Sequence, residues 1–191
     1  MPRTATPGSR RTTENSQGGT IVQVSPPGRY VAVVGPGEAE ATPTLTALAT
    51  EIGAGIVEEL AAVVVCGGLG GVMAAAARGA RSAGGLSVGI LPGLDHADAD
   101  EQLTLAIATG LGELRDGLVV RASQAVIAIG GSWGTTVEIA FAVKLSRPVV
   151  CLRGWRFLDG DGLEAAGVEH AHTVGQALRW VRDELRWAPG A

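Results

Sequence analysis

A-V-I-A-I-G-G-S-W-G-T-T-V-E-I-A-F-A-V-K-L, residues Ala125 to Leu145, reads as a strand, a turn and a helix in succession. Ala125–Ile129 is an unbroken apolar run of the length of a buried strand. Gly130-Gly131-Ser132-Trp133-Gly134 is a glycine-rich turn, and Thr135 is expected to open a helix. Val137, Ile139, Ala140, Phe141 and Val143 recur at helical spacing after it. A strand that ends in glycines and feeds a helix leaves backbone N–H groups converging on one point, which favours an anion, above all a phosphate.

Composition frames this corner. The 191 residues are enough for one well-filled core, and 46% apolar residues with 29 glycines fit a tightly wound α/β protein. The net charge is −4, and Arg3, Arg10 and Arg11 against Glu14 make residues 1–28 basic, so the remainder is more acidic still. That balance argues against a nucleic-acid partner. No apolar run reaches membrane-spanning length, and no secretory leader pattern is present, which implies a cytoplasmic protein with no membrane partner. Cys66 and Cys151 each close an apolar run and read as buried free thiols. Residues 1–28, rich in Thr, Ser, Gly, Pro and Arg, are expected to be a disordered tail before a single domain over 29–191.

The same strand-loop-helix unit recurs along the chain. Tyr30–Val34 is an apolar strand that ends at Gly35-Pro36-Gly37 and leads to a helix over Pro43–Leu60. Ala62–Cys66 runs into Gly67-Gly68-Leu69-Gly70-Gly71, then an alanine-rich helix to about Ser82. Four glycines in five residues exceed what a short connection needs and point to close approach of backbone to a ligand or of helix to strand. The small Ala74–Ala77 segment predicts a helix lying very close to the sheet. Ser87–Leu91 and Leu103–Thr109 are further strands, Glu113–Ala122 a helix and Pro148–Leu152 another strand. A short extended piece, Val168–Ala171, precedes a final helix capped by Thr173. Repeated alternation of this kind predicts a Rossmann-like, doubly wound, mostly parallel sheet with helices on both faces. Ligands of such sheets lie beyond the C-terminal strand ends, where all the glycine loops are placed. Asp95, His96, Asp98 and Asp100 do not match a calcium loop and read as a solvated surface loop, so no metal site is expected. His170 and His172 read as surface residues near a helix start.

Two motifs resemble those of a known superfamily. G-G-S-W-G-T-T-V-E, Gly130–Glu138, resembles the P-G-G-x-G-T-x-x-E signature of the Lonely-guy (LOG) phosphoribohydrolases, and G-G-L-G-G-V-M, Gly67–Met73, resembles their upstream G-G-G-x-x-G-L-M. Over Tyr30–Cys151, including A-I-A-T-G-L-G-E-L-R at Ala106–Arg115, the chain is most similar to a sister group, the molybdenum-cofactor carrier proteins and their bacterial relatives. The resemblance implies a Rossmann-like homo-oligomer, a dimer or tetramer, that binds a nucleotide or a molybdopterin-type cofactor at its glycine turns. No cofactor is implied for folding. Two departures stand out: Asp116 follows Arg115 where the phosphoribohydrolases carry lysine, and Ile129 replaces their proline. Relatives have been labelled lysine decarboxylases; the single lysine, Lys144, late on a helix, gives that no support.

The site implied by the resemblance comprises Gly35, Gly37, Gly67, Gly68, Gly70, Gly71, Arg115, Gly130, Gly131, Ser132, Gly134, Thr135 and Glu138. Backbone N–H groups of Gly131–Thr135 and the Thr135 hydroxyl would hold a phosphate, and Arg115 would pair with it or with a leaving base. Glu138 would accept hydrogen bonds from ribose. In a nucleoside 5′-monophosphate phosphoribohydrolase, Arg115 and Glu138 would be the catalytic pair, the carboxylate stabilising an oxocarbenium-like centre. In a carrier, the same cradle would bind without chemistry. Thr135-x-x-Glu138 is also the pattern of a helix capping box, and both readings of Glu138 stay open on sequence grounds. Trp133, in a glycine turn, is placed to stack on a flat ring or to fill a subunit contact.

Overall fold

A computed structural model describes residues 10–14, 20–24 and 28–187. Within the expected N-terminal tail, strands β1 (Arg10–Glu14) and β2 (Thr20–Val24) pair antiparallel as a separate two-stranded sheet; the rest of that tail lies outside the described residues.

The main sheet has seven strands, all parallel. They are β3 (Tyr30–Val34), β4 (Val63–Cys66), β5 (Ser87–Leu91), β6 (Leu105–Ala108), β7 (Ala125–Ile129), β8 (Val149–Leu152) and β9 (Glu169–Ala171). Their spatial order is β6-β5-β4-β3-β7-β8-β9. The central strands are apolar throughout because both sheet faces are covered, and β3, β4, β7 and β8 bury nearly every residue. On one face, α1 (Pro43–Leu60), α2 (Val72–Ser82) and α5 (Val174–Trp187) pack over Val31, Val33, Val64, Ile127, Ile129 and Leu152. On the other, α3 (Asp116–Arg121) and α4 (Trp133–Lys144) cover Ala32, Val34, Val65, Val126 and Ala128. The period-2 alternation of strand side chains divides the core into these two halves. Cys66 and Cys151 are buried free thiols.

The small residues of α2 have a second close neighbour besides the expected sheet. They bring the helix against α1 as well as the sheet: a side chain at Gly53 would overlap the Ala76 carbonyl, and one at Gly79 the Thr50 carbonyl, each at 2.0 Å. Glycine is required where two helix backbones approach this closely. The region predicted as one helix over Glu113–Ala122 is divided, with a 3-10 turn over Gly112–Arg115 before α3. The acidic loop holds itself together: Asp95 Oδ1 accepts from the Ala97 N–H at 2.8 Å and Asp100 Oδ1 from the Gln102 N–H at 2.9 Å.

Candidate functional site

Strand order sets the location. The chain leaves β3 towards α1 on one face and leaves β7, its neighbour, towards α4 on the other. Loops that part in this way open a crevice at the C-terminal strand ends. The glycine loops after β3, β4 and β7 meet there. The Val72 N–H donates to the Pro36 carbonyl at 3.1 Å, joining the first two loops. Several glycines serve this mutual packing: a side chain would collide at Gly35 with the Ile129 carbonyl and Val72, at Gly71 with the Pro36–Glu38 backbone, and at Gly130 with Leu45. Gly68 lies against Leu91 and Gly89, Gly70 beside Glu38, and Gly131 beneath the Trp155 ring. Gly37 has open space where a side chain would be, and at Gly134 the nearest atom is Ser132 Oγ at 3.9 Å. These two are where backbone is open to a ligand.

The helix after β7 starts earlier than the sequence suggests. Ser132, in extended conformation, is the N-cap, and α4 begins at Trp133 instead of Thr135. Ser132 Oγ accepts from the Thr135 N–H at 3.2 Å and lies 2.9 Å from Thr135 Oγ1; the Ser132 carbonyl accepts from the Thr136 N–H at 2.9 Å. Serine is a strong N-cap, and the glycines before it allow the chain to enter extended. Thr135 is thereby buried, its N–H and hydroxyl both engaged with Ser132. The N–H groups of Trp133 and Gly134 have no acceptor within the helix, as in the first turn of any helix, and form the open part of the cradle. With Ser132 as cap, Thr135-x-x-Glu138 is not a capping box. Glu138 lies a turn further on, facing inward.

Glu138 meets Arg115 there. Arg115, at the end of the 3-10 turn, directs Nη1 to Asp116 Oδ1 at 2.8 Å and stands 3.8 Å from Glu138 Oε1. All three side chains are almost fully buried. The guanidinium lies over Gly67, where a side chain would come within 2.5 Å of Nη1, so the first glycine of the β4 loop is what admits this arginine. Arg115 Nε is buried with no acceptor among the described residues. One cation thus serves two carboxylates. Burial, reinforced by the nearby Asp116 charge and only partly offset by Arg115, pushes Glu138 up to about 8. Asp116 is also raised, chiefly by burial, with Arg115 opposing. Asp116 has the shorter contact and takes the ion pair, leaving Glu138 the group that holds a proton at neutral pH. Cys66, behind this cluster, is pushed up to about 11 by burial and is an unreactive thiol.

Trp133 and Trp155 flank the turn. Their rings meet edge to face, 5.2 Å apart, and Trp133 is 79% exposed. Trp155 carries no sequence signal for this position; it reaches Gly131 from the loop after β8. Asp116 had one signal, its position beside Arg115, but the buried pairing depends on how two helix ends meet. Lys144 lies in the last turn of α4, at the opposite end of the helix from the glycine turn. Among the described residues, no three His, Cys, Asp or Glu side chains converge on a point that could hold a metal ion, and no helix is long and apolar enough to cross a membrane.

Similarity to known proteins follows the same elements. An uncharacterized protein of Archaeoglobus fulgidus is 42% identical over 98 residues, a match covering 51% of this chain and 64% of the archaeal protein. The molybdenum cofactor binding protein of Rippkaea orientalis superposes with a TM-score of 0.74 and 34% identity, covering 82% of this chain and 97% of that one. The molybdenum cofactor carrier protein of Chlamydomonas reinhardtii gives a TM-score of 0.72 and 32% identity, covering 83% and 99%. Residues 28–178, from the strand before the first glycine loop to the last helix, match the model of one family, and the chain belongs to that family, the SLOG cluster4 family.

Proposed function

We propose that the protein binds a phosphorylated small molecule, a molybdopterin-type cofactor or a nucleotide, at the crevice between β3 and β7, and that it carries this ligand without cleaving it. The observation that supports carriage over hydrolysis is the sharing of Arg115 between Asp116 and Glu138. A phosphoribohydrolase of the kind considered above would need Glu138 as a carboxylate at neutral pH, to stabilise the oxocarbenium-like centre. Burial and Asp116 keep Glu138 protonated there, a state that donates a hydrogen bond and carries no charge. The orphaned Arg115 Nε and the open N–H groups of Trp133 and Gly134 favour an oxygen-rich ligand. Structural neighbours named for molybdenum cofactor binding and carriage point the same way. In this reading, residues 29–191 form one domain of a cytoplasmic homo-oligomer.

The test uses AMP and molybdenum cofactor released from a molybdoenzyme. Gly134→Asp adds a negative charge where a side chain has room and where a helix N-terminus tolerates it. The variant should fold normally and bind either probe at least about tenfold more weakly, a loss of about 1.4 kcal/mol. Retention of cofactor on gel filtration without base release from AMP is the expected result. Base release that disappears in Glu138→Gln would instead establish a phosphoribohydrolase.

A further inference from the structure

A second cationic site adjoins the glycine turn. A cleft of about 230 Å³ opens at the C-terminal ends of β8 and β9, lined by Cys151, Arg153, Gly154, Arg156, His170 and His172. Four basic side chains gather there in a chain of net charge −4. Arg156 is occupied by an ion pair with Glu164. Arg153 has no carboxylate at ion-pair distance among the described residues.

Arg153 is also held in an unfavourable backbone conformation. Its φ is +57°, the left-handed region that favours glycine. This conformation directly follows β8 and turns the chain so that Gly154 packs on the Gly130 carbonyl and Trp155 on Gly131. The cleft and the phosphate turn therefore share a wall. An unpaired guanidinium lining a cleft beside two imidazoles supplies hydrogen-bond donors suited to an oxyanion.

We propose that this cleft is a second anion subsite, taking the outer phosphate of a ligand whose inner phosphate rests on the α4 N-terminus. The ligand class is then a diphosphate ester in preference to a monophosphate. The inference rests on the phosphate reading of the α4 turn, and the two are separable by experiment. Isothermal titration with pyrophosphate and with inorganic phosphate is run on the wild type, Arg153→Gly, His170→Gln and Gly134→Asp. Glycine adopts the same φ without strain, so Arg153→Gly removes the guanidinium and keeps the loop. The wild type should bind pyrophosphate at least tenfold more tightly than phosphate. Arg153→Gly should abolish that preference while leaving phosphate binding unchanged, and His170→Gln should reduce it. A preference unchanged in Arg153→Gly, or no preference in the wild type, overturns the second subsite. If Gly134→Asp then loses both anions, the turn reading stands. Loss in Arg153→Gly with full binding in Gly134→Asp removes the turn and leaves the cleft as the anion site. Binding of neither anion by the wild type overturns both.

Discussion

Glu138 concentrates the chemistry of the site in one proton. Its ordinary value is 4.5, and in the folded chain it rises to about 8. Between those limits the folded protein holds the proton and the unfolded chain releases it, so the contribution to stability is complete below pH 4.5 and is lost as pH rises through about 8. Glu138→Gln keeps the shape and removes the titration. The variant should match the wild type at pH 4 and exceed it by more than about 1 kcal/mol at pH 9. Urea unfolding at a series of pH values checks this, and parallel pH profiles for the two proteins would show that Glu138 does not hold the proton. The meeting of Glu138 with Arg115 at this corner was expected from the sequence, because Glu138 follows a glycine turn in a recognisable pattern. Its competing role as a cap was equally legible and does not occur, since Ser132 takes the cap first. Asp116 stood beside Arg115 in the sequence, but its burial with Glu138 around one cation did not follow from that adjacency, and Trp155 was not legible as the partner of Gly131, which it reaches from a separate loop.

Helix boundaries follow local rules where the signals are strong. The expected bounds of α1, Pro43 and Leu60, are those observed, with Thr42 Oγ1 accepting from the Leu45 N–H and Pro43 in the first turn. Its C-terminus is less favourable. Ala61 sits at φ 50°, and the Ala62 N–H returns to the Ile56 carbonyl at 3.1 Å, a left-handed ending of the kind that glycine usually supplies. Ala61→Gly should raise stability by about 0.5 kcal/mol: relief of roughly 1–2 kcal/mol of left-handed strain outweighs about 0.4–1 kcal/mol of added freedom in the unfolded chain. Thermal unfolding reads this directly, and a lower melting temperature would contradict it. The last helix uses a reciprocal box, Thr173 Oγ1 accepting from the Gln176 N–H and Gln176 Oε1 from the Thr173 N–H, both at 3.2 Å, as expected from Thr173. Helix α4 departs from its pattern for a physical reason. Its apolar residues exceed one face: Thr135, Glu138, Ile139 and Ala142 are buried, while Val137, Phe141 and Val143 remain exposed. Periodicity identifies a helix in such a segment but not which side turns inward.

At the scale of the molecule, that surplus apolar face is what calls for a partner. Trp133, Val137 and Phe141 form one row along α4, and Leu114 and Leu118 lie on the neighbouring 3-10 turn and α3, where a side chain at Gly117 would come within 3.6 Å of the Phe141 ring. Beside the row, a groove of about 330 Å³ runs between α4 and Phe157, Ala165, Ala166 and Val168. Soluble monomers seldom leave so continuous an apolar strip to water. The doubly wound fold itself was legible in the repeated strand-loop-helix alternation, and Trp133 stood out in its glycine turn as a candidate subunit contact, but Val137, Phe141, Leu114 and Leu118 were indistinguishable from core in the sequence. If copies of the chain pair over this strip, a stable contact would bury on the order of 1,200 Å² or more. Val137→Glu with Phe141→Glu places two charges on the strip without touching the core or the Arg115 cluster. Light scattering after size exclusion should find the wild type as a dimer or tetramer and the double variant as a folded monomer with unchanged secondary structure by circular dichroism. The variant should also bind ligand no worse than about threefold below the wild type, because the N–H groups of Trp133 and Gly134 belong to the protomer's own turn; a larger loss on dissociation would mean that a neighbouring subunit completes the crevice.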